Sequence, residues 1–161
     1  FDEYLLKENI YFFFTIHTAK LLSNFHSPDL KRIKYIDHCE YPFYDVNEFM
    51  MEVDILINDY STTSTDYSLL SRPQIFFMPD YEKFEKVNGF VENYRDVMPG
   101  REIFTFAELL EVIDYCLKEP DKYVQKYKQK TELLLKHYNE MESGNSCKDF
   151  SDFISQNIET N

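Results

Sequence analysis

The chain has 161 residues, enough for one domain that buries a real apolar core. Its formal charge of −12 argues against a general nucleic-acid surface, which needs a basic field. The three cysteines, Cys39, Cys116 and Cys147, are odd in number and widely spaced, so they fit reduced cytosolic thiols rather than a disulfide frame or a zinc site. No apolar run approaches the roughly 18 residues of a membrane span.

The run 10–16, Ile-Tyr-Phe-Phe-Phe-Thr-Ile, is aromatic and β-branched and short enough for a strand buried on both faces. Residues 17–25 follow as a helix with Leu21 and Leu22 inside, ended by Ser27-Pro28-Asp29. A weaker strand is predicted over 33–36. Val46, Phe49, Met50 and Val53 have helical spacing over 45–53, and Asp45 with Glu48 resembles a capping box.

The segment 54–66, Asp-Ile-Leu-Ile-Asn-Asp-Tyr-Ser-Thr-Thr-Ser-Thr-Asp, is the most informative in the chain. An apolar run, 55–57, ends in Asn58-Asp59-Tyr60 and opens into the hydroxyl residues Ser61, Thr62, Thr63 and Ser64; Tyr67, Leu69 and Leu70 then give the next element something to bury. This reads as a buried strand, a tight turn and a helix start near Ser61. The pattern leaves two readings open. One is an ordinary N-capped helix, since Ser and Thr are common caps. The other is a phosphate site, because a helix start presents unpaired N–H groups and a partial positive charge.

Arg72-Pro73 breaks the chain before a buried strand over 74–78. Residues 79–98 read as a long surface connection with short helical turns, and Pro99-Gly100 introduces a last strand over 102–104. Thr105 and Glu108 form a capping box for a helix whose Phe106, Leu109, Leu110, Ile113 and Leu117 share one face. Pro120 opens a helix running to about Asn139, with Lys126, Lys128, Lys130 and Lys136 on a solvated face. After a turn at Ser143-Gly144-Asn145, Phe150, Phe153 and Ile154 mark a short terminal helix.

Strands alternating with helices predict an α/β fold, a Rossmann-like parallel sheet with helices on both faces, ending in two or three helices. Ligands of such sheets bind beyond the carboxyl ends of the strands, which sorts His17, residues 38–44, residues 59–64 and Pro79-Asp80 to one edge. His26, His38 and His137 have no ligand-like spacing, and no clustered carboxylates flank the hydroxyl segment to suggest a two-metal site.

The order of these elements resembles the CDP-glycerol glycerophosphotransferase family of teichoic-acid and capsule polymerases. Residues 54–70 are similar to that family's DILITDYSS segment, and Arg72-Pro73-Gln-Ile-Phe-Phe77 to its KPIIF strand. Asp80-Tyr81, Gly89-Phe90 and Pro99-Gly100 follow the family's later order, and the likeness spans most of residues 9–155. Thr62 replaces the second serine of DYSS, and Thr18 stands where a proline usually follows the family's histidine.

The resemblance implies the C-terminal, donor-binding half of a two-domain GT-B transferase, so residues 1–161 are expected to form a single nucleotide-diphosphate-binding domain. It implies transfer of glycerol phosphate or another polyol phosphate from a CDP-linked donor. Ser61, Thr62, Thr63 and Ser64 would then bind the diphosphate, and His17 would act on a phosphate oxygen or the leaving group. Asp59 and Asp66 would support the segment, and Tyr41, Pro42 or Phe43 would stack on cytosine. A glycan or lipid-linked acceptor would come through an N-terminal domain. The sequence requires no cofactor and leaves a divalent metal open. The full-length protein is expected in the cytoplasm, at the inner face of the membrane as a peripheral protein. A strand that the family carries ahead of residues 1–9 is missing, so an open edge beside residues 11–16 predicts self-association or marginal stability. Two alternatives remain: half of a GT-B nucleotide-sugar glycosyltransferase, against which stands the lack of a Glu-x7-Glu pair in the segment directly after the Asp-Tyr-Ser strand, and a noncatalytic nucleotide-binding fragment.

Overall fold

The computed structural model describes residues 1–15, 30–36, 45–90, 94–139 and 144–158. The chain divides into two compact units, Phe1–Phe49 and Met50–Asn161.

In the first unit, α1 (Asp2–Lys7) carries acids in its first turn and Lys7 in its last, the arrangement its dipole favours. Leu5 is fully buried. The Asp2 carboxylate accepts the N–H groups of Arg32 (2.8 Å) and Lys31 (3.3 Å). Those bonds, the Arg32 N–H first, hold its pKa below the ordinary aspartate value. Strands β1 (Phe12–Phe14) and β2 (Ile33–Tyr35) pair in parallel, Phe12 beside Ile33 and Phe14 beside Tyr35. The expectation of a strand buried on both faces needs correction: Phe13 is 44 % exposed and Tyr11 57 %. Phe12 and Phe14 are only half-buried. Ring contacts of Phe12 with Phe1 (5.3 Å) and of Phe13 with Phe49 (5.2 Å) shelter the strand instead. Helix α2 (Val46–Met51) follows Asp45, whose carboxylate accepts the Asn47 N–H at 2.8 Å.

The second unit is built on β3 (Leu56–Asn58), β4 (Gln74–Phe77) and β5 (Arg101–Ile103), all parallel, in the order β3-β4-β5. The connections are α3 (Thr63–Tyr67) with a 3-10 turn (Ser68–Leu70), then α4 (Tyr81–Asn88) and α5 (Tyr94–Val97). The parallel α/β class predicted from the sequence is the class observed. Ile75, Phe76, Met78, Ile103 and Val112 are fully buried at its centre. Gly100 is required at the start of β5: a Cβ there would overlap the Gln74 carbonyl and lie 2.9 Å from the Phe76 ring.

Helix α6 (Phe106–Lys118) lies against β4 and β5. Thr105 and Glu108 form its capping box as predicted, with the Glu108 N–H donating to the Thr105 hydroxyl (3.3 Å) and the Thr105 N–H to the Glu108 carboxylate (2.9 Å). Its buried face is Leu109, Val112, Ile113 and Cys116. Phe106 and Leu117, expected inside, are 47 % and 44 % exposed. Burial pushes the Cys116 thiol up to about 12, so it is an inert core group. Helix α7 (Pro120–Tyr138) starts on Pro120 and is fastened to the sheet by buried Tyr123, whose hydroxyl donates to the Gln74 carbonyl (2.6 Å) and accepts the Arg101 N–H (2.9 Å). Helix α8 (Ser146–Ile158) is longer than expected and buries nothing: Phe150, Phe153 and Ile158 are all more than half exposed. Leu69, expected inside, is 45 % exposed in the 3-10 turn, whereas Tyr67 is buried as predicted.

Candidate functional site

The site grows from the carboxyl end of β3. Asn58 still pairs with Phe76 in the sheet, yet its buried amide turns the chain by donating to the Ser61 carbonyl at 2.8 Å. Asp59 is exposed, and its carboxylate accepts the Tyr60 N–H at 2.6 Å, so it serves the turn itself. The Ser61 and Thr63 hydroxyls come together at 2.8 Å, and the Thr63 N–H donates to the Ser61 oxygen at 3.2 Å. Thr62 is the residue before α3, exposed, and its side chain makes no capping bond.

Ser64 stands apart from these three: it is 5 % exposed, and its carbonyl accepts the Ser68 hydroxyl at 2.7 Å. Ser68 in turn accepts from the buried Gln74 amide at 2.8 Å, so a polar chain runs from β4 to the first turn of α3. Asp66 is exposed on α3. On the far side, Tyr67 donates to the Val53 carbonyl (2.8 Å), which also accepts from Arg72 (2.8 Å). The helix therefore starts at Thr63, two residues later than the sequence reading placed it, with the turn 58–62 folded back by side-chain bonds. His17, Tyr41, Pro42 and Phe43 lie outside the described residues.

Sequence reasoning missed the partner of this turn. The Tyr60 hydroxyl donates to the Asp80 carboxylate at 2.7 Å. Its ring stacks on Phe84 with centroids 3.8 Å apart and 17° between planes, and Phe90 lies 5.9 Å away. Burial first, then the Asp80 bond, raise the Tyr60 pKa, so the phenol stays a proton donor. The sequence had sorted residues 59–64 and Pro79-Asp80 to the same edge of the sheet, without singling out Tyr60 as the link between them. Beside Asp80, a cleft of about 430 Å³ opens at the ends of β4 and β5, lined in part by Met78, Tyr81, Arg95 and Phe104. The Arg95 guanidinium lies 4.2 Å from the Tyr81 ring centroid and pairs with Glu102 at 3.1 Å. Among the described residues there is no cluster of His, Cys, Asp and Glu fit for a metal ion, and no helix long and apolar enough to cross a membrane.

The turn between β3 and α3 gathers the Ser61 and Thr63 hydroxyls beyond the carboxyl end of a parallel strand, the edge at which ligands of such sheets bind. The chain matches the family described as CDP-Glycerol:Poly(glycerophosphate) glycerophosphotransferase over residues 2–156, and it belongs to that family. It is 35 % identical over 115 residues to a teichoic acid poly(glycerol phosphate) polymerase of Staphylococcus epidermidis, covering 71 % of this chain and 15 % of that protein. It is 30 % identical over 151 residues to a teichoic acid glycerol-phosphate primase of Bacillus subtilis, covering 92 % of this chain and 35 % of that protein. Among solved structures it is similar to the wall teichoic acid polymerase TagF, with a TM-score of 0.74, 27 % identity, and coverage of 99 % of this chain and 38 % of that one. A variant of TagF soaked with CDPG overlays with a TM-score of 0.71 and 28 % identity. The chain thus spans well under half the length of these relatives.

Proposed function

We propose that this chain is the donor-binding part of a transferase that moves glycerol phosphate, or another polyol phosphate, from a CDP-linked donor to a hydroxyl of a cell-surface polymer. The observation that carries the reading is the Ser61–Thr63 hydroxyl pair at the start of α3, beyond the carboxyl end of β3, in a chain of this family. In this reading residues 1–161 are one nucleotide-diphosphate-binding domain of a larger two-domain protein, and the acceptor, a glycan or lipid-linked chain, meets the donor through the other domain. The whole protein works in the cytoplasm at the inner membrane face.

The acceptor oxygen attacks the phosphorus that bears the polyol. The bond from that phosphorus to the bridging oxygen breaks, CMP leaves with the electron pair, and the acceptor proton passes to a base. Charge builds on the CMP phosphate as the bond opens. Fixed donors aimed there lower the barrier because they need no reorganisation. Ser61, Thr62 and Thr63 supply hydroxyls and N–H groups for that task. Buried Ser64 contributes through its backbone, while Asp59 and Asp66 hold the turn and helix. His17 donates to a phosphate oxygen, and a ring among Tyr41, Pro42 and Phe43 covers the cytosine.

Calorimetric titration with CDP-glycerol, CDP-ribitol, CDP and UDP-glucose tests the reading. CDP-polyols should bind, and Ser61→Ala with Thr63→Ala should weaken them at least tenfold, on the order expected for two charge-assisted bonds, while the melting temperature holds. Stronger binding of UDP-glucose would favour a sugar transferase, and no nucleotide binding at all would overturn the proposal. If His17 meets phosphate as an imidazolium, affinity should fall as pH rises through about 6.5, the ordinary histidine value, because the nearby anion favours the charged form. His17→Gln should flatten that profile; an unchanged profile would remove His17 from the site.

A further inference from the structure

Tyr60 immediately precedes the hydroxyl pair, yet it is held from another element. Its ring lies flat on Phe84 of α4, and its hydroxyl donates to Asp80, the residue before α4. Its ring also packs against the buried cluster of Phe76, Met78, Tyr81 and Met98. The turn 58–62 is therefore fastened from two sides, by Asn58 from β3 and by Tyr60 from the β4–α4 junction. A tyrosine needed for packing alone would require only the ring. Here the phenol holds a 2.7 Å bond to a carboxylate at the position next to Ser61, and a bond to an ionised group is stronger and more directional than a neutral one.

We infer that Tyr60 is a positioning residue: its bond to Asp80 sets the Ser61 and Thr63 hydroxyls in the geometry that receives the donor's diphosphate. This rests on the diphosphate reading given above. Preorganised donors matter because an ångström of misplacement removes much of their value. With the Tyr60 bond cut, the ring still stacks on Phe84, the fold survives, and the turn gains freedom that ligand binding must then remove.

The test uses the 161-residue chain and CDP-glycerol, with calorimetric affinity and melting temperature read together. Tyr60→Phe, which keeps the ring, should weaken binding about tenfold, the scale of one bond to a charged group, with a melting temperature close to the parent's. Asp80→Ala should match it. Asp80→Asn, which keeps an acceptor for the phenol, should retain most of the affinity. In a background carrying both Ser61→Ala and Thr63→Ala, Tyr60→Phe should add little further loss, because the hydroxyls it positions are gone; a purely structural role would give losses that multiply. Parental affinity in Tyr60→Phe, equal loss in Asp80→Asn and Asp80→Ala, or multiplying losses would each overturn the inference. If the chain with both alanines binds like the parent, or the parent does not bind CDP-glycerol, the diphosphate reading fails and takes the inference with it. If the chain with both alanines binds weakly and Tyr60→Phe normally, the reading stands and only the positioning role falls.

Discussion

Tyr123 shows how a single atom can couple three elements. Its hydroxyl, buried in α7, completes the hydrogen bonding of the Gln74 carbonyl on β4 and the Arg101 N–H on β5. Tyr123→Phe would take this partner from the buried Gln74 carbonyl and from the partly buried Arg101 N–H, and an unpaired buried group costs more than the net worth of its bond. The expected destabilisation is about 1–3 kcal/mol in urea unfolding; a loss within experimental error would show that neither group needs the phenol. The nearby carbon surface leaves little room to relax, since Gly100 is already too close to Gln74 to carry a Cβ. At the site, the same scale of reasoning separates Ser64 from its neighbours. Four consecutive hydroxyls look alike in the sequence, but only Ser61 and Thr63 pair, and Ser64 is buried in the polar chain to Gln74.

Elements defined by short-range patterns were readable in the sequence, and those defined by distant neighbours were not. The Thr105–Glu108 capping box needs only residues three apart, and it forms as read. Glu108 accepts the Phe104 N–H first, then the Thr105 hydroxyl and N–H, and these bonds hold its carboxyl below the ordinary value of 4.5. A carboxyl whose folded pKa is depressed stabilises the fold above its unfolded value, and that contribution is lost as pH falls through the folded pKa. Stability should therefore decline on acidification below about pH 4.5 more steeply in the parent than in Glu108→Gln; parallel curves would deny the cap its ionic part. Thr105→Ala should cost about 1 kcal/mol at neutral pH, as typical N-caps do, and a melting curve will show it. Periodicity also found α6, but it set the buried stripe off-centre. The spacing of apolar residues cannot say where the sheet lies, so Val112 and Cys116 are inside while Phe106 and Leu117 are out. In α8 the spacing of Phe150, Phe153 and Ile154 gave a helix without giving burial. The Tyr60–Asp80 bond spans 20 residues of sequence and depends on two strands ending side by side, which no local pattern encodes.

The molecule as a whole carries a charge of −12, and its proposed ligand is itself an anion. A diphosphate must therefore be held by close donors against a repulsive far field. The two act over different ranges. Hydroxyl and N–H bonds at the turn work at contact distance and carry no net charge, so salt screens them little, whereas repulsion from distant carboxylates fades beyond a Debye length of about 10 Å at 0.1 M. At a pH above the histidine range, where His17 adds no cation, raising monovalent salt from about 20 to about 200 mM should consequently leave CDP-glycerol affinity unchanged or strengthen it, and should speed association. A cation-built site would behave in the opposite way, losing affinity steadily as its lysines and arginines are screened. Arg95 and Lys83 beside the cleft are the described cations nearest that alternative, and Arg95 is already paired with Glu102. Stopped-flow and calorimetric titrations across that salt range, with Arg95→Gln beside the parent, separate the two. A steep loss of affinity with salt that Arg95→Gln abolishes would move the diphosphate from the hydroxyl turn to the cleft.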